Sequence, residues 1–514
     1  MMGRGLDLVR PRTTPARTLW CVASEGVPGP GTYRGTVVQA YDLPAVLPTA
    51  ADECVRPDGS PRAPYERLFA TLTNGDHAGL AGVQQDAIAW FAERGITFGA
   101  PSEGPAPIFP FDPVPRVIGA EEWAQLERGL AQRAVALDHF VADCYGAQRA
   151  LRNGVVPASL VYSSTGYLRD VVGAAPPRST WCHVSGIDVV RIDGRFAVLE
   201  DNVRVPSGIA YALMSRRAMH DLKPEWLDGA GVRSISDYPR RLLDILQRIA
   251  PRPWQADIAV LTPGPFNAAY YEHGLLAQGL GAALVEGRNL WVHDDQVYRR
   301  DSDGSFVHVD VVYSRVNSEW IDPLVFRSDS VLGSPGIIEA WRRGNVALAN
   351  APGTGVADDK AIYPYVPEMV RYYLGEEPLL DNVPTFDLTD SAQRLHVLAN
   401  LDRIVFKPVD ASGGYGIHFG RLMSRDERSE MAARVIADPR AWLAQEEVTL
   451  SRAVCLGAEG GFEARCVDLR PFVLLDEQPW IVPGGLTRVA GTPDMLVVNS
   501  SQGGGSKDTW VLKS

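Results

Sequence analysis

The feature that most constrains this chain is a pair of strand-like segments flanking Asp193-Gly194. The segments cover residues 186–191 and 198–202. An Asp-Gly dipeptide in this setting is typical of a tight β-hairpin turn. A hairpin would bring Asp188 alongside Glu200 and Asn202, which share one strand face because they are two residues apart. Two carboxylates and one amide oxygen converging on a point make a site suited to Mg²⁺ that carries nucleotide phosphates.

A second group of residues lies about two hundred positions further along the chain. Residues 404–408 form a short apolar strand that carries Lys407, and a glycine-rich loop follows it. Backbone N–H groups of such a loop can approach phosphate oxygens closely, because glycine leaves them uncovered. One group therefore supplies metal ligands and the other holds a nucleotide, a combination that favours an ATP-using enzyme.

Composition excludes several other classes of protein. The net charge of −12 argues against nucleic acid as a partner, since phosphate binding needs a basic face. No apolar run approaches the roughly 18 residues that a membrane span requires, and no apolar segment follows the N-terminal arginines as a secretory signal would. Six cysteines without metal-binding spacing indicate a reducing compartment. We therefore expect a cytoplasmic protein that binds neither nucleic acid nor membrane.

Four stretches are expected along the 514 residues. They are a partly disordered N-terminal extension (1–60), a helical region with the metal-ligand half (61–250), a small α/β substrate domain (251–345) and the nucleotide-binding half (346–514). Apolar residues at spacings of three and four predict a helix over 121–151. Strands at 257–261 and 283–286 flank a predicted helix at 267–278, and strands at 290–299 and 307–314 are predicted to form a meander.

Several longer motifs resemble the circularly permuted ATP-grasp proteins, a bacterial branch related to glutathionylspermidine synthetase and eukaryotic glutathione synthetase. The motifs lie at residues 110–116, 198–208, 355–360, 468–472, 483–489 and 499–508. Glu200 precedes Lys407 here, whereas the metal ligands follow the nucleotide lysines in the usual ATP-grasp order. The resemblance implies an α+β fold: a circularly permuted ATP-grasp with an inserted small α/β (pre-ATP-grasp-like) domain and an N-terminal helical region.

The resemblance also implies a reaction. ATP phosphorylates a carboxylate, an amine attacks the acyl-phosphate, and an amide, ADP and phosphate leave, with ATP and Mg²⁺ as the cofactors. The expected partners are a small-molecule carboxylate, such as an amino acid or short peptide, and an amine. Two alternatives stay open, a phosphotransferase on the same fold and a protein that binds ATP without turning it over. A homo-oligomer is compatible with the sequence, which leaves the oligomeric state open.

By the same resemblance, Asp188, Glu200 and Asn202 are the metal ligands. Lys360, expected at the start of a helix, and Lys407 are the two nucleotide lysines. Gly413, Gly414, Tyr415 and Gly416 form the lid over the phosphates. Gln445, Glu446 and Glu447 are the hinge that meets adenine and ribose.

The catalytic arginine is harder to place. In the characterised synthetases it lies two residues before the first metal aspartate, and that position is Gly186 here. The arginine must therefore come from elsewhere, with Arg204, Arg470 and Arg488 as candidates. Arg315 is equally compatible with a substrate carboxylate and with a structural salt bridge. The terminal block 502–508 is either a second phosphate or substrate loop or a flexible tail.

Overall fold

The computed structural model describes residues 51–73, 77–99, 106–410, 416–457, 461–498 and 504–514. Within these ranges, the α-helices are α1 (Glu66–Thr73), α2 (His77–Glu93), α3 (Ala120–Tyr145), α4 (Arg149–Arg152), α5 (Ala158–Tyr162), α6 (Ile209–Leu222), α7 (Pro224–Leu227), α8 (Tyr238–Ile249), α9 (Tyr270–Leu280), α10 (Ile337–Arg342), α11 (Val366–Leu374), α12 (Ser391–Ala399) and α13 (Arg425–Ala437).

The β-strands of the same ranges are β1 (Phe111–Ile118), β2 (Val184–Ile192), β3 (Arg195–Asn202), β4 (Ile258–Leu261), β5 (Ala283–Val285), β6 (Leu290–His293), β7 (Gln296–Arg300), β8 (Phe306–His308), β9 (Val311–Ser314), β10 (Ala347–Ala349), β11 (Asp381–Asn382), β12 (Thr385–Phe386), β13 (Ile404–Pro408), β14 (His418–Phe419), β15 (Trp442–Glu446), β16 (Arg452–Leu456), β17 (Phe462–Arg470), β18 (Phe472–Leu474), β19 (Trp480–Ile481), β20 (Leu486–Val489) and β21 (Gly505–Val511). Helices and sheets are both extensive, so the predicted α+β class is confirmed.

A ten-stranded sheet forms the centre of the molecule. Its main path runs β1-β21-β20-β17-β2-β18-β19, with β3 paired to β2, β11 to β3 and β16 to β17. The pairings β1–β21 and β3–β11 are parallel and the others are antiparallel. Because β2, β17 and β20 are neighbours, the ends of segments nearly three hundred residues apart in sequence meet beside the β2–β3 hairpin.

Three smaller sheets flank the central one. The first is a parallel sheet ordered β10-β9-β4-β5, which packs with α9 and carries the strand–helix–strand unit predicted near residue 260. The second is antiparallel, ordered β12-β15-β13-β14, and presents Lys407. The third is the antiparallel meander β6-β7-β8. The second of these sheets contributes lining residues to the cavity described below, and Arg315 reaches that cavity from the end of β9.

Helix α3 shows how the apolar pattern dictates packing. The side chains at the predicted spacing of three and four are buried, among them Trp123, Leu126, Leu130 and Leu137. Glu121 and Glu122 occupy the first turn, where a carboxylate favours the positive end of the helix dipole. The helix ends at Tyr145 rather than near 151, because Gly146 interrupts it before the short α4 begins.

The strand predicted at 307–314 is divided into β8, which belongs to the meander, and β9, which does not. β9 leaves the antiparallel order and pairs in parallel with β4 and β10. All four residues of β9 are buried, as expected of a strand covered on both faces, whereas β8 is exposed or half-buried. Lys360 also differs from expectation, because it lies in a turn that precedes a short 3₁₀ helix and α11.

Residues 51–55, which the sequence places in the N-terminal extension, pack into the core. Glu53 is fully buried and forms ion pairs with Arg116 and with Arg191 at 2.6 Å. Burial would raise the pKa of Glu53, but these two guanidinium groups lower it to about 2. The part of the extension before residue 51 lies outside the described residues.

The cysteines of the described ranges are buried free thiols: Cys54, Cys144, Cys182, Cys455 and Cys466. Burial raises the pKa of each thiol, which keeps it protonated and unreactive. Within the described part of the chain, none of the helices has the length and apolarity that a bilayer span requires.

Candidate active site

The β2–β3 hairpin forms as predicted and carries the candidate ligands. Asp193 and Gly194 both have positive φ (48° and 81°), as a type I′ turn requires. Asp188 is the register partner of Glu200, and Gly186 is the partner of Asn202. All three predicted ligands line one cavity, so the structure brings them together.

A bulge in β3 decides which face these side chains take. Val189 pairs with Val198 and Asp188 pairs with Glu200, so Leu199 is an extra residue in the ladder. In a regular strand without this bulge, Glu200 would share the face of Val198, which is fully buried in the core. The bulge moves Glu200 and Asn202 to the cavity face beside Asp188, while Asp201 stays on the opposite face and pairs with Arg133 at 2.7 Å.

Two arginines enclose Asp188. Arg470, at the end of β17, donates from Nε and Nη2 to the two carboxylate oxygens, the second bond being 2.8 Å long. Arg488 on β20 donates to Asp188 at 2.7 Å and also pairs with Asp468, its register partner on β17. Burial would raise the pKa of Asp188, but the two guanidinium groups lower it below its usual value. Asp188 is therefore held ionised.

Gly186 explains how Arg470 reaches this position. A Cβ atom built on Gly186 would lie 3.2 Å from Cδ and 3.4 Å from Cγ of Arg470, and 3.1 Å from Cβ of Pro206. The side chain of Arg470 therefore occupies the space beside position 186, where the resembling synthetases carry their arginine. Its third nitrogen, Nη1, donates to the Ser207 carbonyl at 3.1 Å, which fixes the guanidinium plane.

The two predicted nucleotide lysines face the same centre. Lys360 Nζ lies 3.0 Å from Glu200 Oε1. Lys407, on β13, donates to Gln445 Oε1 at 2.6 Å, and Gln445 in turn donates to Thr385 at 2.9 Å. Burial lowers the pKa of the Lys407 ammonium to about 8, with Lys360 adding to the shift and Glu200 opposing it.

The predicted hinge follows on β15, next to Lys407. The side chain of Gln445 is engaged by Lys407 and Thr385, so its visible contribution is to position the lysine. Glu446 lines the cavity and is exposed, whereas the carboxylate of Glu447 pairs with Arg421. Of the predicted lid, Gly413, Gly414 and Tyr415 lie outside the described residues, and Gly416 has a φ of +72°.

The motif at residues 355–360 supports the segment that leaves the hairpin. Asp358 Oδ1 accepts hydrogen bonds from the backbone N–H groups of Val203 (2.7 Å) and Arg204 (3.1 Å). Gly355 is crossed by the backbone of Gly166, where a Cβ would lie 2.2 Å from the Gly355 oxygen. The Asp358 carboxylate also lies 3.4 Å from Nε of Arg204, so this candidate arginine is tethered at the cavity wall.

Two further predicted elements have structural partners. Arg315 is buried and pairs with Glu272 at 3.0 Å, which matches the salt-bridge interpretation, although it also lines the cavity. In the terminal block, Lys507 lies in β21, a strand of the central sheet, and is fully buried against Asp112 and the Val114 carbonyl. Residues 505–508 are thus part of the sheet, and 502–503 lie outside the described residues.

A single cavity of about 770 Å³ is lined by the three predicted ligands, the two lysines, the three hinge residues and the three candidate arginines. At the hairpin end, four cationic side chains (Lys360, Lys407, Arg470 and Arg488) face three carboxylates (Asp188, Glu200 and Asp468). Such a centre suits a polyanion that arrives with a divalent cation. Thr385 and the aromatic lining by Phe98, Phe109 and Tyr211 were not identified from the sequence, since no local motif marks them. Asp468 lies in the motif at 468–472, but no role was assigned to it from the sequence.

Comparisons with known proteins bear on the family and the fold. A family model described as circularly permuted ATP-grasp type 2 matches residues 115–490. Uncharacterised proteins of Mycobacterium tuberculosis (strain H37Rv) and Synechocystis sp. (strain PCC 6803) are similar to this chain. The first is 46% identical over 477 residues, covering 92% of this chain and 86% of that protein, and the second is 48% identical over 424 residues, covering 82% and 88%.

Two other matches carry descriptive names. A protein of Frankia alni, provisionally named glutamate–cysteine ligase 2-3, is 41% identical over 535 aligned positions, which cover 99% of this chain and 61% of that protein. A glutathione synthetase-like effector of Globodera pallida has a similar structure, with a TM-score of 0.51, 13% identity, and coverage of 85% of this chain and 98% of that one. The latter shows likeness of fold alone.

Proposed function

This chain belongs to the circularly permuted ATP-grasp type 2 family, and on that premise we propose that it is an ATP- and Mg²⁺-dependent carboxylate–amine ligase. The observation that carries the proposal is the centre at the hairpin end, where paired carboxylates and an amide lie beside four cations in one cavity. The ligase name of the Frankia alni relative supports the reaction class. That protein is considerably longer, so its substrates are not carried over.

The donor set suits Mg²⁺. Asp188, Glu200 and Asn202 supply two carboxylates and an amide oxygen, the hard ligands that this ion prefers. The amide Nδ2 of Asn202 is buried and has no hydrogen-bond partner among the described residues. The nitrogen of this amide is therefore not engaged in a structural hydrogen bond there. No group of three or more His, Cys, Asp or Glu side chains suited to a metal occurs in the described ranges. Mg²⁺ sites of enzymes that use ATP commonly have one or two carboxylates together with substrate phosphates, which is the arrangement proposed here.

The proposed roles follow from position. Bound Mg²⁺ would neutralise phosphate charge during transfer. Lys407, aligned by Gln445, and Lys360, aligned by Glu200, bind the nucleotide phosphates. Arg470 presents a planar guanidinium fixed at three nitrogens, suited to the charge that develops on the transferring phosphoryl group and on the acyl oxygen. Arg488 and Asp468 hold Asp188 in place.

The test is release of ADP and phosphate from Mg-ATP with pooled carboxylates and amines, with mass spectrometry on each positive pool. We expect release that needs one carboxylate and one amine, with a product lighter than their sum by one water. A phosphorylated acceptor without amide would instead indicate a phosphotransferase. Tight ATP binding without release from any pool would favour a nucleotide-binding protein that does no chemistry.

The shifted pKa of Lys407 predicts a pH dependence of ATP binding. The ammonium is charged below about pH 8 and neutral above it, so a favourable contact with the phosphates is lost as pH rises. If only the charged form binds, affinity falls about fivefold between pH 8 and pH 9. Titration of a fluorescent ATP analogue at several pH values measures this. Lys407→Met should bind weakly with no such dependence; the same pH profile in wild type and variant would contradict the assignment.

A further inference from the structure

Two chain segments run side by side along the cavity, away from the hairpin. Arg204 Nη1 lies 4.0 Å from Glu319 Oε1, and Arg315 Nη2 donates to the Pro206 carbonyl at 2.8 Å. The segment that follows Asn202 is therefore antiparallel to the segment that follows β9. Arg204 marks the end near the metal ligands, and Pro206 and Arg315 lie farther along.

The cavity wall formed by these two segments continues into helix α6. Glu272 Oε2 accepts hydrogen bonds from the backbone N–H groups of Gly208 (2.7 Å) and Ala210 (3.1 Å), and its Oε1 pairs with Arg315. Tyr211 comes next on the helix and lines the same cavity. The cavity thus has a second arm, which runs from Arg204 to Tyr211 and which the nucleotide residues do not line.

Aromatic rings form the far end of this arm. The rings of Phe109 and Tyr211 stack with centroids 4.3 Å apart, and Phe98 meets Tyr211 edge-on at 5.6 Å. All three line the cavity, together with Leu486. The Tyr211 hydroxyl donates to the Thr97 carbonyl at 3.0 Å, so the protein itself satisfies this polar atom. The far end therefore presents mainly apolar surface to the cavity.

This end also lacks net charge among the described side chains. Arg315 and Glu272 are both buried and neutralise each other. Burial lowers the pKa of His273 to about 2, so its imidazole is neutral, with Nδ1 2.8 Å from the Thr262 hydroxyl. A charged substituent placed here would lose hydration without gaining an opposite charge, whereas an apolar one would gain by leaving water.

We propose that the far end of the second arm, lined by Phe98, Phe109 and Tyr211, binds an aromatic or bulky apolar group of one of the two substrates. This inference rests on the proposed function, because the reacting end of that substrate is placed beside Arg204 and the metal ligands. The substrate is accordingly a carboxylate or an amine that carries a large uncharged group several bonds from its reacting atom.

Binding of four small probes to the full chain tests the proposal without any need for turnover. The probes are 3-phenylpropanoate with propanoate, and 2-phenylethylamine with ethylamine, each titrated calorimetrically in the presence of Mg²⁺ and a non-hydrolysable ATP analogue. We expect one aromatic probe to bind on the order of 30-fold more tightly than its short counterpart, the gain for burying a phenyl group. Whether the carboxylate or the amine shows it identifies which substrate occupies the arm.

Variants localise the effect. Phe98 is only partly buried, so Phe98→Ala is expected to retain the fold and to reduce the aromatic preference at least fivefold. The matched control is Phe306→Ala, an exposed phenylalanine on β8 that does not line the cavity, which should leave the preference unchanged. If wild-type protein binds both aromatic probes within threefold of their counterparts, the proposal is overturned, whatever the variants do.

Failure of this inference is separable from failure of the proposed function. ADP release that needs a carboxylate and an amine, without aromatic preference, would overturn the arm assignment and leave the ligase standing. Aromatic preference in binding, without ADP release from any substrate pool, would support the arm and contradict the ligase.

Discussion

Replacing Glu200 by Gln is expected to reduce ADP release by about two to three orders of magnitude at saturating substrates. The substitution keeps shape and removes the negative charge at a residue that lies beside Asp188 on the cavity face. It also removes the negative charge from the ion pair that Glu200 forms with Lys360. If Glu200 is a metal ligand, the Mg²⁺ concentration for half-maximal rate should rise at least about tenfold. Steady-state ADP release across a Mg²⁺ titration measures both effects.

Two comparison variants separate the possible causes. Lys360→Met should raise the KM for ATP without changing the Mg²⁺ dependence, because it removes a phosphate contact and leaves the ligands. Asp201→Asn, one residue further along the same strand, faces Arg133 on the other side of the sheet. It should lower stability and leave kcat of the folded protein within a few-fold. An unchanged Mg²⁺ requirement in Glu200→Gln would reduce Glu200 to a residue that positions Lys360.

The hairpin could be predicted because its determinants are local. Asp193-Gly194 sets the turn, and two β-rich segments on either side set the strands. The strand–helix–strand unit at 258–285 was equally visible, since its apolar runs are short and bounded by turns. The prediction of a meander was wrong for the residues of β9, because a short apolar run does not indicate whether its neighbour in the sheet will be parallel or antiparallel.

The site could be predicted only in part. The spacing of Glu200 and Asn202 shows that they share a face, but the bulge at Leu199, which turns that face toward the cavity, has no signal in the sequence. The identity of the arginine beside Asp188 depends on pairings across 282 residues for Arg470 and 300 for Arg488. Such contacts arise from sheet order, and no local pattern encodes sheet order. The glycine at position 186, where the resemblance leads one to expect an arginine, was the one sequence clue that an arginine had to come from elsewhere.

Arg470→Ala is expected to lower kcat by about two to three orders of magnitude, with a smaller change in the KM for ATP. Arg470 has the fixed, bidentate geometry beside Asp188 that a charge-stabilising residue needs. Arg470→Lys should lose nearly as much of its kcat, because an ammonium cannot reproduce two parallel hydrogen bonds.

The other two candidate arginines serve as comparisons. Arg204→Ala should lower kcat about tenfold or less, since Arg204 is tethered to Asp358 at the cavity wall. Arg488→Ala should mainly destabilise the fold, because it leaves Asp188 and Asp468 short of a buried partner.

Moving the arginine tests whether its position, rather than its sequence number, matters. In Arg470→Gly much of the space beside Gly186 opens, because Cδ and Cγ of Arg470, which lie 3.2 and 3.4 Å from a Cβ at that position, are removed, while Cβ of Pro206 at 3.1 Å remains. Adding Gly186→Arg would then place a guanidinium beside Asp188 from β2, the strand that carries Asp188 itself. We expect the double variant to recover at least about tenfold of the activity lost in Arg470→Gly, whereas Gly186→Arg alone should be impaired because Arg470 already fills the space. A double variant no more active than the single one, though folded, would show that Arg470 acts through its contact with Ser207 and the surrounding backbone rather than through the charge it places at this point.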